Sequence, residues 1–376
     1  MAYTTIDDPS QYFQTALWSG DNATTQDITN DGNSDLQPDW VWVKCRNTSG
    51  NGFDHVVFDT SRGVSNSVNT GLSPSQTDSE GLGDNVTTTA QLGGVSAMLS
   101  DGFTVREGTL DNDSRYVNES SRTYVAWQWK ANGGTTTSFS ASGAQLAGTR
   151  QSNTTAGFSI ITYTGDGNNN ATIPHGLNSA PKFVIIKDRG NATNWYVGHN
   201  STFTTGEVFL NLNNGLAAAF GPFNKTAPGS SNITLGTDGN VNGSSDTMIC
   251  YAFAEVQGYS KFSSYAGNGN TDGPFVYLGF KPAWIMIKRT DSGSSQWHLF
   301  DSTRNEFNVA NKVLFPSTDD AEQSYTGTDP QIDILSNGFK LRSSYNQVNS
   351  SSGTYIYMCF AEHPFVSSEG VPTTAR

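Results

Sequence analysis

Hydrophobic positions along the chain gather into short runs separated by long polar stretches, and the densest run occurs three times. Trp40-Val41-Trp42-Val43-Lys44, Phe183-Val184-Ile185-Ile186-Lys187 and Trp284-Ile285-Met286-Ile287-Lys288 are each an apolar segment ending in lysine, with Pro38, Pro181 and Pro282 just ahead. The lysines and the prolines recur at the same two intervals, 143 and 101 residues. Self-similarity on this scale fixes where units begin before any local motif is read. Runs this short, bounded by turn residues, read as strands. Being apolar at nearly every position, they read as covered on both faces, one by a sandwich core and the other by a neighbour or a folded-back loop.

Around each lysine strand the same order of elements recurs. An aromatic-rich strand leads into a glycine turn at Ser19-Gly20-Asp21-Asn22, Thr164-Gly165-Asp166-Gly167 and Ala266-Gly267-Asn268-Gly269. After the lysine comes a third strand, Phe53–Phe58, Trp195–Val197 and Trp297–Phe300. A turn-strand signal follows at Asp101-Gly102-Phe103 and Asn337-Gly338-Phe339, with a weaker counterpart at Asp238-Gly239-Asn240-Val241. Each unit closes on a dense strand, Tyr124–Trp129, Met248–Phe253 and Tyr355–Phe360. Strands stay fixed while the connections vary in length, as in a sandwich with variable loops. The expected fold is all-β, a tandem of antiparallel β-sandwich modules of jelly-roll or concanavalin-like form. The expected divisions are 1–130 with an N-terminal arm, 131–155 as a linker or long loop, 156–257, and 258–376 with a C-terminal tail. Units two and three should be stiffly coupled through their short connection, and units of this kind can also share sheets.

Composition sharpens this picture. Of 376 residues, 35% are hydrophobic and only 15% charged, while 39 glycines suit turns better than helices. Low charge argues against disorder, and aromatic residues supply the apolar area that the modest aliphatic content lacks. The net charge of -13, with no basic cluster, excludes a nucleic-acid partner. No apolar run approaches the length of a membrane span, so no membrane insertion is expected. The first residues lack the basic and apolar regions of a signal peptide, so synthesis and assembly in a host cytoplasm are expected.

Candidate chemistry is sparse. Asp59–Arg62 and Asp301–Arg304 are near copies in Phe-Asp-x-x-Arg segments, and an Asp three residues before an Arg forms a charge-assisted clamp on the loop leaving a strand. The reading is structural, because unit two has His199 and Asn200 there instead. The histidines have no metal-ligand spacing and read as packing residues, and no nucleophile elbow or phosphate loop is present. Glu107, Glu119, Glu207 and Glu306 sit near loops without recurring between units, so no enzyme is expected. No cofactor is expected. Asp111-Asn112-Asp113, with acidic side chains at alternating positions, is the one candidate for calcium, although it lacks the glycine and distal glutamate of an EF-hand loop. For a sugar ligand, Trp18, Trp195 and Trp297 are the candidate contacts, weighed against burial of the last two in the core.

The turn at Tyr163–Gly167, the strand Pro181–Lys187 and Trp195, with Tyr265–Gly269, Pro282–Lys288, Trp297, Asn337–Phe339 and Tyr355–Glu362 in the third unit, carry a resemblance. The chain resembles the repeated module of structural and tail-associated virion proteins of marine bacteriophages, cyanophages above all. That resemblance implies a virion location and a tail fibre, tip or receptor-binding role. Its partners would be other virion proteins, a host surface glycan, and further copies of the chain in a homo-oligomer such as a trimer. A capsid decoration protein or tail adaptor without host contact is the alternative. The absence of heptads or short β-helical repeats favours a compact appendage over a long fibre.

Overall fold

The computed structural model describes residues 3–50, 53–64, 70–83, 87–88, 93–108, 115–218 and 221–372. The fold is all-β and its sheets are antiparallel. Three of them share one strand order, in which the opening strand pairs with the closing strand, then the lysine strand, then the third strand. The first sheet runs Phe13–Ser19, Thr123–Trp129, Trp40–Cys45, Val56–Asp59. The second runs Phe158–Thr164, Thr247–Phe253, Phe183–Asp188, Tyr196–His199. The third runs Ser260–Ala266, Thr354–Pro364, Phe280–Arg289, Trp297–Asp301. Each is backed by a smaller outer sheet: Thr25–Ile28 with Gly102–Arg106 and Gly94–Leu99, Ala171–Pro174 with Asn232–Leu235, and Phe275–Tyr277 with Gly338–Leu341 and Ile332–Leu335.

Alternation of side chains explains why the lysine and closing strands are apolar throughout. Val41, Val43, Tyr124 and Ala126 face the first outer sheet, and Val184, Ile186, Met248 and Cys250 face the second. The residues between them point the other way. Trp40, Trp42, Trp127 and Trp129 join Phe183, Ile185, Tyr251, Phe253, Trp284, Met286 and Phe360 in one continuous apolar cluster. All three pairs of sheets touch there. Trp40 stacks on Tyr251 at 4.5 Å, Trp129 meets Trp284 at 5.6 Å, and Phe253 meets Phe360 at 5.8 Å. The three large sheets therefore stand around a common aromatic centre, each with its outer sheet turned away from it.

Two elements differ from the sequence-based expectation. Residues 131–155, expected as a linker or long loop, hold the strands Thr137–Phe139 and Gly148–Asn153, which extend the second sheet beyond its opening strand. Their polar composition reflects an edge position with mainly half-exposed or exposed side chains rather than a lack of structure. The segment Asp238–Val241 is not a turn and strand but the cap and start of the short helix Gly239–Asn242. Its counterpart is the helix Asn346–Asn349, and Asn232–Leu235 occupies the place of the Gly338–Leu341 strand. The glycine signal had separated them physically. A Cβ on Gly102 or Gly338 would lie about 2 Å from the carbonyl oxygen of Ile28 or Val276, whereas one on Gly239 would meet nothing. Among the described residues no helix is long and apolar enough to cross a membrane.

A shared centre makes the units interdependent. Cutting out residues 156–257 exposes Phe183, Trp195 and Phe253, which the whole chain buries. Calorimetry of the full chain is expected to give one transition, and the excised segment to lack cooperative unfolding. Separate transitions for the three units would contradict the shared core.

Candidate functional site

The clamps predicted from sequence are real, and they lie where one unit meets the next. Asp59 pairs with Arg62 at 2.5 Å, and both side chains are fully buried. The Arg62 amide also donates to Asp59 Oδ1, and its guanidinium reaches the Thr70 carbonyl and Glu80. The second unit completes the group. Tyr251 donates its hydroxyl to Asp59 Oδ2 at 2.7 Å, and Arg189 pairs with the far side of Glu80 at 2.7 Å. Burial works against the Arg62 charge, but Asp59, Tyr251 and Glu80 outweigh it and hold the guanidinium more firmly protonated than usual.

The same set stands between the third unit and the first. Asp301 holds Arg304, Trp127 Nε1 donates to Asp301 Oδ2 at 3.1 Å, and Glu322 bridges Arg304 and Arg46 at 3.0 Å each. Burial would raise the Glu322 carboxyl, but Arg46 and Arg304 together hold it below the usual range. Asp59, Asp301 and His199 occupy one register position, opposite Trp40, Trp284 and Phe183. Tyr251, Trp127 and Met358 occupy another, opposite Ile185, Trp42 and Met286. The main chain repeats in all three places, with Glu80 N to Arg189 O, Glu322 N to Arg46 O, and Leu216 N to Thr290 O, at 2.7 to 2.8 Å.

The seam between units two and three is therefore the neutral version of the other two. His199 stands for the aspartate, Leu216 for the bridging glutamate, Thr290 for the distal arginine and Met358 for the donor ring. Replacing all of these together avoids the cost that losing one member would incur, a buried charge without a partner. His199 is buried beside the Tyr357 main chain, and desolvation pushes its pKa down to about 4, so it sits there uncharged.

The sugar-contact candidates belong to the same seams. Trp195 and Trp297 are fully buried, as the stronger core reading of both had it, so neither presents a ring face to a ligand and their candidacy as sugar contacts is corrected. Their indole N–H groups bond across to the preceding unit, Trp195 to the Ser73 carbonyl at 2.7 Å and Trp297 to the Phe209 carbonyl at 2.8 Å. His55 takes the corresponding place in unit one. It accepts from Trp42 Nε1 at 2.9 Å through Nδ1, and its Nε2 lies towards the Phe315 main chain without an aligned hydrogen bond. Trp18 is half-buried, stacked on Tyr124 at 5.3 Å and bonded to the Val117 carbonyl at 2.9 Å.

The three repeated lysines are buried too. Lys44 donates to the carbonyls of Cys45, Phe53 and Asp319, and Lys187 to those of Asp188 and Asn191 and to Thr193 Oγ1. Lys288 donates to the Ser295 carbonyl. Each stem runs along the apolar centre while its head ties down the loop after the strand. Desolvation lowers all three, Lys44 and Lys187 to about 8 and Lys288 to about 7.

One recurring residue went unread in the sequence. Asn118, Asn242 and Asn349 are buried, each follows a valine, and each stands six residues before Tyr124, Met248 or Tyr355. Each accepts from the amide of the opening glycine turn, at Asp21, Asp166 and Asn268. The Val-Asn pair at fixed distance from the closing strand was the available signal.

A polar cleft of about 430 Å³ opens between the first unit's opening strand and the third unit. Gln14, Thr15 and Asp31 line one side and Lys281, Glu306 and Glu362 the other. Lys281 and Glu362 form an ion pair on that wall, with Nζ 2.6 Å from Oε1. Of the other glutamates, Glu119 pairs with Arg122, and Glu207 is buried, with desolvation and then Asp238 raising its carboxyl to about 7. Among the described residues no three metal-ligating side chains converge, and Asp111-Asn112-Asp113 lies outside the described residues.

Two measurements check the seams. In urea unfolding, Tyr251→Phe should cost about 1–2 kcal/mol and Arg62→Met about 3–5 kcal/mol, the latter because Asp59 is left buried and unpaired. Equal, small losses would mean that the network is not closed. Lys288, with a folded pKa of about 7 against 10.5 for a free side chain, loses its proton first in the folded state. Above pH 7 the unfolded chain binds more protons. The stability of the native protein relative to Lys288→Met should then be flat below pH 7 and rise above it by up to roughly 1.4 kcal/mol per pH unit. A difference that stays flat to pH 9 would mean that the amine titrates normally.

No curated protein and no solved structure matches the chain. One family does, over residues 8–364, a span that runs from the opening strand of the first unit to the closing strand of the third and takes in all three seams. The chain belongs to this family, described as a domain of unknown function, DUF7483.

Proposed function

We propose that the chain is a structural protein of a phage virion, tail-associated, whose outer loops meet the host surface or neighbouring virion proteins. The observation that carries this reading is the direction in which the recurring polar groups point. Clamp aspartates and arginines, the Lys44 head and the Trp195 and Trp297 N–H groups are spent on joining the three sandwiches, and the Lys187 and Lys288 heads on fixing loops within their own units. Side chains committed to closure in this way build a rigid body rather than a reaction centre. The resemblance of the repeated segments to phage modules supplies the biological setting.

The seams run head to tail, from the second unit to the first, from the first to the third, and from the third to the second. A heterologous contact of this kind gives a closed ring when the rotation closes, and here it does so within one chain. The body thus needs no second copy to complete its core, and assembly into a homo-oligomer would use the outer sheets and loops. A compact body with variable outer loops suits a tip or adhesin better than a shaft.

Cryo-EM of the intact particle, at a resolution that assigns subunits, tests the reading. Copies on the tail are the expected result. An array over the capsid would overturn the tail assignment in favour of decoration, and absence from the particle would overturn both.

A further inference from the structure

We infer that the outer edge strand Phe275–Tyr277 is a saccharide-binding platform, with Phe275 and Tyr277 stacking on sugar rings and the adjoining cleft bonding their hydroxyls. This deepens the proposed role and rests on its outer surface being the part that meets a host glycan.

Large apolar side chains on a folded surface call for a reason when they gather. Phe275 is 45% exposed and Tyr277 49% exposed, while Val276 between them is buried. Two positions apart on a strand, they share one face and stand about 7 Å from each other. The partner strand shapes that face. Gly338 lies opposite Tyr277, and a Cβ there would come within 3.1 Å of the Phe275 ring. The glycine thus lets the phenyl ring lie close over the sheet, with its other face turned to water. Tyr277 is held at its hydroxyl by Tyr3, 3.2 Å away, and flanked on one side by the Lys261 ammonium 5.6 Å from the ring centre. The Tyr277 ring is thus held before any ligand arrives, which reduces the ordering cost of binding.

Beside the rings is a cleft of about 260 Å³ whose lining includes Tyr3, Glu255, Gln257, Lys261 and Tyr277. Asp272 and Lys340, paired at 2.8 Å, add polar groups near the opposite end, since Lys340 faces Phe275 across the ladder. Flat apolar faces next to donors and acceptors match a molecule with C–H faces and hydroxyl edges. A hydrophobic peptide would find a charged rim of Lys261, Glu255 and the Asp272–Lys340 pair that offers its apolar side chains no further cover, and an anion would find as many carboxylates as ammonium groups. A neutral oligosaccharide of at least two sugar units satisfies both parts of the surface.

Saturation-transfer difference NMR on the full chain tests this with a panel of neutral tetrasaccharides: cellotetraose, maltotetraose, laminaritetraose, mannotetraose and chitotetraose. Transfer to at least one is expected. Phe275→Ser and Tyr277→Ser should each weaken binding at least fivefold with an unchanged circular dichroism spectrum. Phe307→Ser, which alters a phenylalanine 78% exposed at a different place on the same unit, should leave binding as it was. No transfer from any member of the panel, or binding that survives both platform substitutions, would overturn the inference. Its failure is separate from that of the virion reading, because a protein found on the tail that binds none of these sugars retains the first proposal and loses the second.

Discussion

A β-sheet with one apolar face has to be covered once; a sheet with two has to be covered twice, and this requirement organises the molecule. The lysine and closing strands carry large side chains at consecutive positions, so an outer sheet can shield only half of them. The other half must find a partner of the same kind. Three such sheets, turned towards a common centre, cover one another, and the aromatic cluster that results is the reason none of the units stands alone. The buried lysines, the clamps and the cross-unit indole bonds follow from that choice, since polar main chain at the ends of the central strands is removed from water along with the side chains and must be bonded internally.

The buried networks are not best understood as sources of stability. A fully desolvated ion pair returns little more than the cost of drying it, whereas losing one partner is expensive. What Asp59 and Arg62 give is definition. Tyr251 and Arg189 meet that site through directed hydrogen bonds, and Trp127 and Arg46 do the same at Asp301 and Glu322, which fixes the register of one unit on the next. The neutral seam at His199 and Met358 shows that apolar packing and main-chain bonds can hold the arrangement when no charge is buried there.

Much of the architecture was legible in the sequence because strand spacing and two-sided hydrophobicity are local properties. The consecutive apolar residues of Trp40–Val43 already implied cover from two directions. The destination of that second cover was not legible, because nothing local states which of several like faces will meet. Trp195 and Trp297 show the limit well. Their equivalent strand positions favoured a core, but what covers them was not legible until the preceding unit's loop is seen to accept their indole N–H groups. Phe275 and Tyr277 carried no signal of their exposure. They lie in the apolar run Phe275–Phe280, and the edge position of their strand leaves their faces uncovered. Residues 131–155 were obscured by composition, since strands at the end of a sheet with mainly half-exposed or exposed side chains have little need of hydrophobic residues.

The neutral seam also bears on how such a chain can change over time. His199, Leu216, Thr290 and Met358 lie on four separate segments, yet each is tolerable only in the company of the others. An aspartate at position 199 alone would bury a carboxylate without an arginine beside it, and loss of Arg62 or Arg304 alone would leave Asp59 or Asp301 in that state. Each seam draws its groups from two units, so exchanging one unit for another would separate the members of two seams at once. The chain is built from three similar parts that fit one another only as a set.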